Sequence, residues 1–546
     1  MPKPDIRATE AALRRWAPLV LLAIGIAAYH NSFAGPFLFD DIGNIVQNPH
    51  LWRLWPLTEA MRAPADTGIV GRPIVNLSLA LNYAFGGLGV WGYHTVNLAI
   101  HLVAALFLFG IARRTLLSAR LRSRYQRSAS GLAFAIALLW MVHPLQTASV
   151  TYIIQRSESL MGLWYLGTLY AVIRGAASTH HRRWWDATAV MACALGMGSK
   201  PVMATAPLLV LAYDRVFLSQ PASPILRDRG WLYAGLAATW AVLVLSVRSS
   251  PDRFTYAPSA GFALTGVSPL AYALTQPGVI LHYLRLAVWP HPLCLDYHWP
   301  LVRSISAAVG PGLAVGALLA STLVARYRAP AVGFLGVWFF LVLAPSSSVI
   351  PLADAAFEHR MYLPLAAVIA LVVLGLARMP LPRVIGIGAV AAATITLALL
   401  TMDRNAQYRD PIALWQQTVA LRPENPRAHV NLGALLTQQG DVEAAKTHEL
   451  IALRLDPRDA KTQYNLGLLL AQQHQLDEAI QHFQHALTLT PLYADAHNNL
   501  GAVLLLKGRL ADARGHFEEA LRINPNHAQA RYNMALVTQR LSPNGP

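Results

Sequence analysis

Up to about residue 403 the chain is a succession of apolar segments separated by short loops, and this constrains the fold more than any other feature. The segments are 16–29, then about 94–112, 128–144, 159–176, 184–198, 201–219, 231–248, 305–324, 331–350, 362–378 and 383–402. Crossing a hydrocarbon core takes roughly 20 residues of helix. In lipid every backbone polar group must bond within the protein, which leaves helices or closed barrels. Continuous apolar runs select helices, so an all-α, polytopic membrane bundle is expected. The loops between the segments alternate in charge. Arg113–Arg127, His180–Arg183, Arg215–Arg229, Arg326–Arg328 and Arg378–Arg383 are basic. The positive-inside bias places these in the cytoplasm. Loops 31–93, 145–158, 249–304 and 345–361, and everything after 402, then lie outside.

Two segments need separate treatment. Pro269–Pro290 is apolar enough to cross, but it carries Gln276, His282, Tyr283 and Arg285. Counting it as a crossing would put Arg326–Arg328 outside, so it is read as interfacial or re-entrant. Trp16–Tyr29 follows Lys3, Arg7, Arg14 and Arg15 and precedes Ser32-Phe33-Ala34, which has the small-x-small form of a signal cleavage site. It is read as a retained anchor. About 11 spans result, with the N-terminus inside and the C-terminus outside.

Composition agrees with this reading. Only 13% of residues are charged and 55% are hydrophobic, where a soluble chain carries about 25% charged residues. The formal charge of +16 suggests nucleic acid, but the basic residues sit in short loops between apolar segments, so no nucleic-acid partner is expected. Cys193 and Cys294 form no CxxC pair and imply no disulfide framework.

The tail obeys a different rule. Pro423, Pro457, Pro491 and Pro525 recur every 34 residues, as do Asn431-Leu432-Gly433, Asn465-Leu466-Gly467, Asn499-Leu500-Gly501 and Asn533-Met534-Ala535. Ala452, Ala486 and Ala520 keep the same phase. This is the tetratricopeptide period. It divides the chain into a membrane domain, 1–403, and an extracytoplasmic α-solenoid, 404–546. The solenoid has three full repeats, a leading helix near 410–421 and a trailing one near 527–540.

Unusual polar residues gather on the outer side. Asp40 and Asp41 stand among Phe37, Phe39 and Ile42; Arg72 lies later in the same loop. His143, Arg156 and Glu158 follow the third span, and Glu358, His359 and Arg360 follow Pro345-Ser346-Ser347-Ser348. Ionisable groups at membrane depth are costly and usually serve a site. The bland alternatives are an Asx-type turn or helix cap at Asp40-Asp41, and interfacial solvation for a lone residue such as His101 or His282. His482 and His485, an i,i+3 pair without a third ligand, are read as a solvated face. Acids together with Arg and His suit group transfer from a lipid phosphate: a carboxylate acts as general base on a hydroxyl, and cations stabilise the leaving phosphate.

The runs FLFDDIGNIVQNP, GRPIVNLSLALNYAFGGLGVWGYHTVNLAIH, HPLQTASVTYIIQRSESL, WPHPLCLDYHWP and FEHRMYLP, in that order before the repeats, resemble the membrane-plus-tetratricopeptide proteins whose animal members are the TMTC O-mannosyltransferases, with a bacterial branch the nearer match. The resemblance implies a GT-C glycosyltransferase fold in the plasma membrane (a bacterial inner membrane), with the active face and repeats periplasmic. It implies transfer of mannose or another hexose from a polyprenyl-phosphate donor, with inversion, to hydroxyls of an acceptor polypeptide recruited by the repeats. Catalysis would fall to Asp40 or Asp41. From their charge, donor-phosphate or sugar binding would fall to Arg72, His143, Arg156, Glu158, Glu358, His359 and Arg360. No metal ligand and no certain cofactor is assigned, although adjacent carboxylates are able to hold Mg²⁺ or Mn²⁺. Relatives carry an acid beside the lysine before the sixth span, whereas Gly198-Ser199-Lys200-Pro201 has none, which weakens a role for that stretch. Two other readings stay open: a non-enzymatic scaffold for envelope complexes, and transfer of a whole lipid-linked glycan.

Overall fold

The structure, a computed structural model, describes residues 6–64, 67–218, 225–248, 260–262, 264 and 266–542. Lys3, part of the Arg215–Arg229 loop and most of 249–265 lie outside the described residues. Among the described residues the regular structure is helical, and the only β pairing is an isolated bridge between Ala260 and Leu352. It divides into two compact units. One comprises Met1–Leu293 and Trp299–Asp410; the other comprises Cys294–His298 and Pro411–Pro546. The division falls after Asp410 rather than at 403, because the helix Arg383–Gln407 runs past the expected end of its apolar segment.

In the first unit each expected apolar segment is helical over most of its described length. By length and composition, however, six described helices qualify as spans alone: Glu10–Ala34, Val90–Leu116, Pro201–Leu218, Arg229–Arg248, Ile305–Arg328 and Arg383–Gln407. A seventh is the pair Ala129–Met141 and Pro144–Val150, bent by 55°. Pro144 causes the bend, since proline excludes the residue before it from helical geometry. Pro330–Leu343 and Pro364–Leu376 are shorter than a span because each is bounded by irregular chain around Pro345-Ser346-Ser347-Ser348 and Glu358–Met361. The expected eleven is therefore a count of apolar segments rather than of full-length spanning helices.

Pro269–Val288 is one unbroken 20-residue helix, not a re-entrant hairpin. Ser268 caps it by accepting from the Ala271 amide at 3.1 Å, and Pro269 occupies its first turn, a position suited to proline. Its polar face bonds to irregular chain along much of its length. The Tyr272 hydroxyl donates to the Ser346 carbonyl at 2.6 Å, Thr275 Oγ1 accepts from the Val302 amide at 2.8 Å, and the Tyr283 hydroxyl accepts from the Phe357 amide at 2.9 Å. The helix thus braces the 344–361 segment.

A buried aromatic hub sets the position of the next turn. Tyr362 donates to or accepts from His101 Nδ1 at 3.0 Å, and its carbonyl accepts from the Trp140 indole at 2.7 Å. The Trp140 ring lies 4.9 Å from His101 and 5.0 Å from Tyr362. His101 is therefore a bonded core residue, and His101 Nε2 reaches the Met141 carbonyl at 3.0 Å. Tyr362 lies directly on Gly162, where a Cβ would stand 2.4 Å from the ring. That contact fixes Glu358–Met361 against the start of Arg156–Ala176.

The second unit is the solenoid. Helix pairs Pro426–Gln439 with Val442–Leu455, Ala460–Gln472 with Leu476–Leu489, and Ala494–Leu506 with Leu510–Ile523 form the three repeats. Pro411–Leu421 leads and Ala528–Leu541 trails. Gly433, Gly467 and Gly501 each lie under the side chain sixteen residues on, which is Glu449, Phe483 and Phe517 in turn. Segment Cys294–His298 joins this unit: Asp296 Oδ1 accepts from Arg427 at 2.8 Å, and the Arg422 guanidinium lies 5.4 Å from the Tyr297 ring. His482 is half-buried and bonds through Nδ1 to Gln463 Oε1 at 2.7 Å, so it is less solvated than expected.

Candidate functional site

Residues Tyr152 to Glu158 form the spine of the site, and every second one engages a different part of it. The Tyr152 hydroxyl accepts from the Asp40 amide at 3.0 Å and is also hydrogen-bonded to the Asp40 carboxylate. The Ile154 amide donates to Asp41 Oδ1 at 2.7 Å. Arg156 donates to Asn97 Oδ1 at 2.6 Å, to the Tyr93 carbonyl at 3.0 Å and to the Ser78 carbonyl at 3.1 Å. Glu158 Oε2 meets Lys200 Nζ at 2.5 Å.

The two adjacent acids have separate fates. Asp41 is fully buried, and its second oxygen accepts from the Leu38 amide at 2.9 Å. It ties the loop to the spine. Burial pushes its carboxyl up to about 8, while the two amides and Arg156 pull it back. Asp40 is exposed. The residue before it, Phe39, has φ +42°, in the left-handed region that a bulky side chain rarely adopts, and such strain gathers at functional sites. A π-turn over Ile42–Val46 follows, another feature common at such sites. Asn44 closes it by donating to the Asp40 carbonyl at 2.6 Å and accepting from the Ile69 amide at 3.2 Å. Both oxygens of Asp41 are taken by amides, so the pair does not present two open carboxylates to Mg²⁺ or Mn²⁺. Among the described residues no group of three or more His, Cys, Asp or Glu could hold a metal ion.

The cations also divide. Arg156 is fully buried, with its guanidinium 5.6 Å from the Tyr93 ring and committed to three acceptors. Arg360 donates to the carbonyls of Asp354 at 2.6 Å and Ala355 at 2.7 Å. Both therefore brace the loops. His143 accepts from the Leu145 amide at 3.2 Å and points Nε2 at the Ala287 carbonyl at 3.3 Å, in the manner of a helix cap. These three were expected at the phosphate; each also bonds within the fold.

Lys200 pairs with Glu158, and Arg72 and His359 lie close enough to Lys200 to act on it or feel it electrostatically. Burial lowers the Lys200 ammonium; Glu158 raises it, and Arg72 and Arg360 lower it further. Burial holds His359 well below its usual value, and Lys200, Arg360 and Arg72 add to that. The His359 ring stacks on Phe357 at 5.1 Å. Glu358 is buried beside it. Lys200 is the functional candidate that sequence reasoning set aside: its acid comes from 42 residues earlier rather than from its own motif. Tyr152 and Asn97 lie within the quoted runs, but their bonds to the Asp40 amide and to Arg156 leave no mark in the local pattern.

Residues 403–460 and 458–526 each match a tetratricopeptide repeat family model. The chain is 24% identical over 461 residues to the Caenorhabditis elegans protein O-mannosyl-transferase F38B6.6, covering 80% of this chain and 62% of that protein. It is 25% identical over 496 residues to Homo sapiens protein O-mannosyl-transferase TMTC4, covering 79% and 65%. The chain thus spans about three-fifths of the length of these curated relatives. Among solved structures, ArnT from Cupriavidus metallidurans bound to undecaprenyl phosphate matches 87% of this chain and 80% of its own, at 16% identity and TM-score 0.41. Over about four-fifths of its length the chain is similar to protein O-mannosyl-transferases, and residues 403–526 match tetratricopeptide repeat models.

Proposed function

We propose that the protein is a membrane glycosyltransferase that moves a hexose from a polyprenyl-phosphate donor to a hydroxyl of an acceptor polypeptide, with inversion. The observation that carries this is the split between the two acids: Asp40 is exposed and oriented by Tyr152, while Asp41 is buried and consumed in holding the loop. A general base must reach the proton it takes, and the exposure of Asp40 supports it in that role. The acceptor oxygen attacks the anomeric carbon as Asp40 takes its proton. The bond from that carbon to the phosphate oxygen breaks, and the lipid phosphate leaves with the electron pair.

Lys200, Arg72 and His359 are the groups suited to the phosphate. Lys200 is a point charge anchored by Glu158, and His359 is kept neutral, able to donate from one ring nitrogen without adding another cation to the cluster. Fixed donors aimed at developing charge supply a large share of catalysis in sites that exclude water. The repeats supply a curved solenoid face suited to a polypeptide, and holding the acceptor there raises its effective concentration at the site.

The full-length protein, purified and incubated with polyprenyl-phosphate mannose and an acceptor protein rich in Ser and Thr, is expected to give an acceptor mass increased by one hexose per site. Unchanged acceptor alongside folded protein would overturn the reading for this donor. A larger increment with a lipid-linked oligosaccharide would favour whole-glycan transfer.

A further inference from the structure

At the end of Val90–Leu116 far from Asn97, the helices part around an apolar pocket. Its walls include Ile111, Phe217, Phe334, Trp338 and Ala370. Its polar groups are the hydroxyls of Thr115 and Tyr213, which bond each other at 2.7 Å. A buried water needs 2–4 polar partners, so this space suits hydrocarbon rather than water. Short helices border it: Pro330–Leu343 has 14 residues and Pro364–Leu376 has 13, each about 20 Å long against a hydrocarbon core of roughly 30 Å.

The loop that follows packs onto the same place. Leu116, Leu121 and Leu374 line the cavity and also join the small core built on Tyr125 and Ala129. The apolar side chains of 113–127 thus turn inward, while Arg120, Arg122, Arg124 and Arg127 are exposed. Arg215, two residues before the lining Phe217, is exposed as well. No acidic residue occurs between 113 and 127. An apolar slot therefore opens beside a set of exposed guanidinium groups, and basic pockets between membrane helices bind anionic lipid headgroups.

We propose that this end of the bundle binds one anionic phospholipid, with an acyl chain in the cavity and the phosphodiester on the arginines. The site is separate from the acid loop and does not depend on the glycosyltransferase reading. The charge selects the headgroup and the slot selects a chain, so a soluble phosphate has no reason to bind.

The test is native mass spectrometry of the full chain released from nanodiscs of phosphatidylcholine with one-fifth phosphatidylglycerol. One retained phosphatidylglycerol per chain is expected. Replacing the four exposed arginines together (R120S, R122S, R124S and R127S) should lower its retention relative to phosphatidylcholine by at least about tenfold. Ala370→Phe, which fills the slot, should abolish retention of either lipid. Equal retention of the two lipids by the wild type, or undiminished phosphatidylglycerol in the arginine variant, would overturn the proposal. Should Ala370→Phe not fold, the arginine variant still decides, because its changes lie on the surface.

Discussion

Lys200 Nζ and Glu158 Oε2 lie 2.5 Å apart, both largely buried, although 42 residues separate them in the chain. Removing one partner of a buried pair leaves an uncompensated charge and costs about 3–5 kcal/mol. Glu158→Ala alone should therefore lower the melting temperature markedly. The double variant E158L/K200M should recover most of that loss yet stay inactive in sugar transfer, because the phosphate loses its point charge. Thermal melts beside transfer assays check both halves; a double variant that transfers normally would remove Lys200 from the site.

Gly162 offers a mechanical test. A Cβ there would stand 2.4 Å from the Tyr362 ring, and overpacking a core of this kind costs about 1–3 kcal/mol. Tyr362 follows the Glu358–Met361 turn directly, so Gly162→Ala should displace His359 and impair donor binding more than acceptor binding. Separate KM values for the two substrates would show it.

The pH response follows from two residues with opposite signs. His359 is held below its usual value, so the unfolded chain takes a proton near pH 6.5 that the folded chain refuses. Stability is fully present above that pH and is lost as pH falls towards the folded value. His359→Gln should flatten the decline of the melting temperature between pH 6.5 and 5.

Glu449 behaves in the other direction. It occupies the position held by Phe483 and Phe517 in the next two repeats, and burial raises its carboxyl to about 8. Asn465 donates to Oε1 at 2.8 Å. Its contribution is fully present below about pH 4.3 and is lost as pH rises towards 8. Glu449→Gln keeps the bond without the charge, so its melting temperature should exceed the wild type's by more at pH 8.5 than at pH 5. A constant difference would contradict this.

The tail was legible because its period repeats one local contact, Gly433 under residue 449 and so on every 34 residues, and family models match it. The apolar segments announced helices for the same reason: in lipid the backbone has few alternatives. Helix lengths were less legible, since Pro144 and the 345–361 loop break segments that hydropathy alone treats as whole. The site was legible as a set of acids and cations, but their division of labour was not. Asp40 and Asp41 differ by one position, and only the fold shows that the Leu38 and Ile154 amides consume the second. Likewise Arg156 reads as a phosphate ligand until Asn97, Ser78 and Tyr93 claim its guanidinium. Such partners come from distant segments and leave no local pattern.

The central claim is that Asp40 takes the acceptor proton and Asp41 holds the loop. The most direct measurement compares Asp40→Asn with Asp41→Asn for melting temperature and for transfer rate with donor and acceptor saturating. Asp40→Asn should keep the wild-type melting temperature and lose transfer by about 10²–10⁴-fold, the usual contribution of a general base. Asp41→Asn should lower the melting temperature, because an amide offers one acceptor oxygen where the Leu38 and Ile154 amides need two. A fully active Asp40→Asn protein, or one that fails only because it no longer folds, would contradict the account.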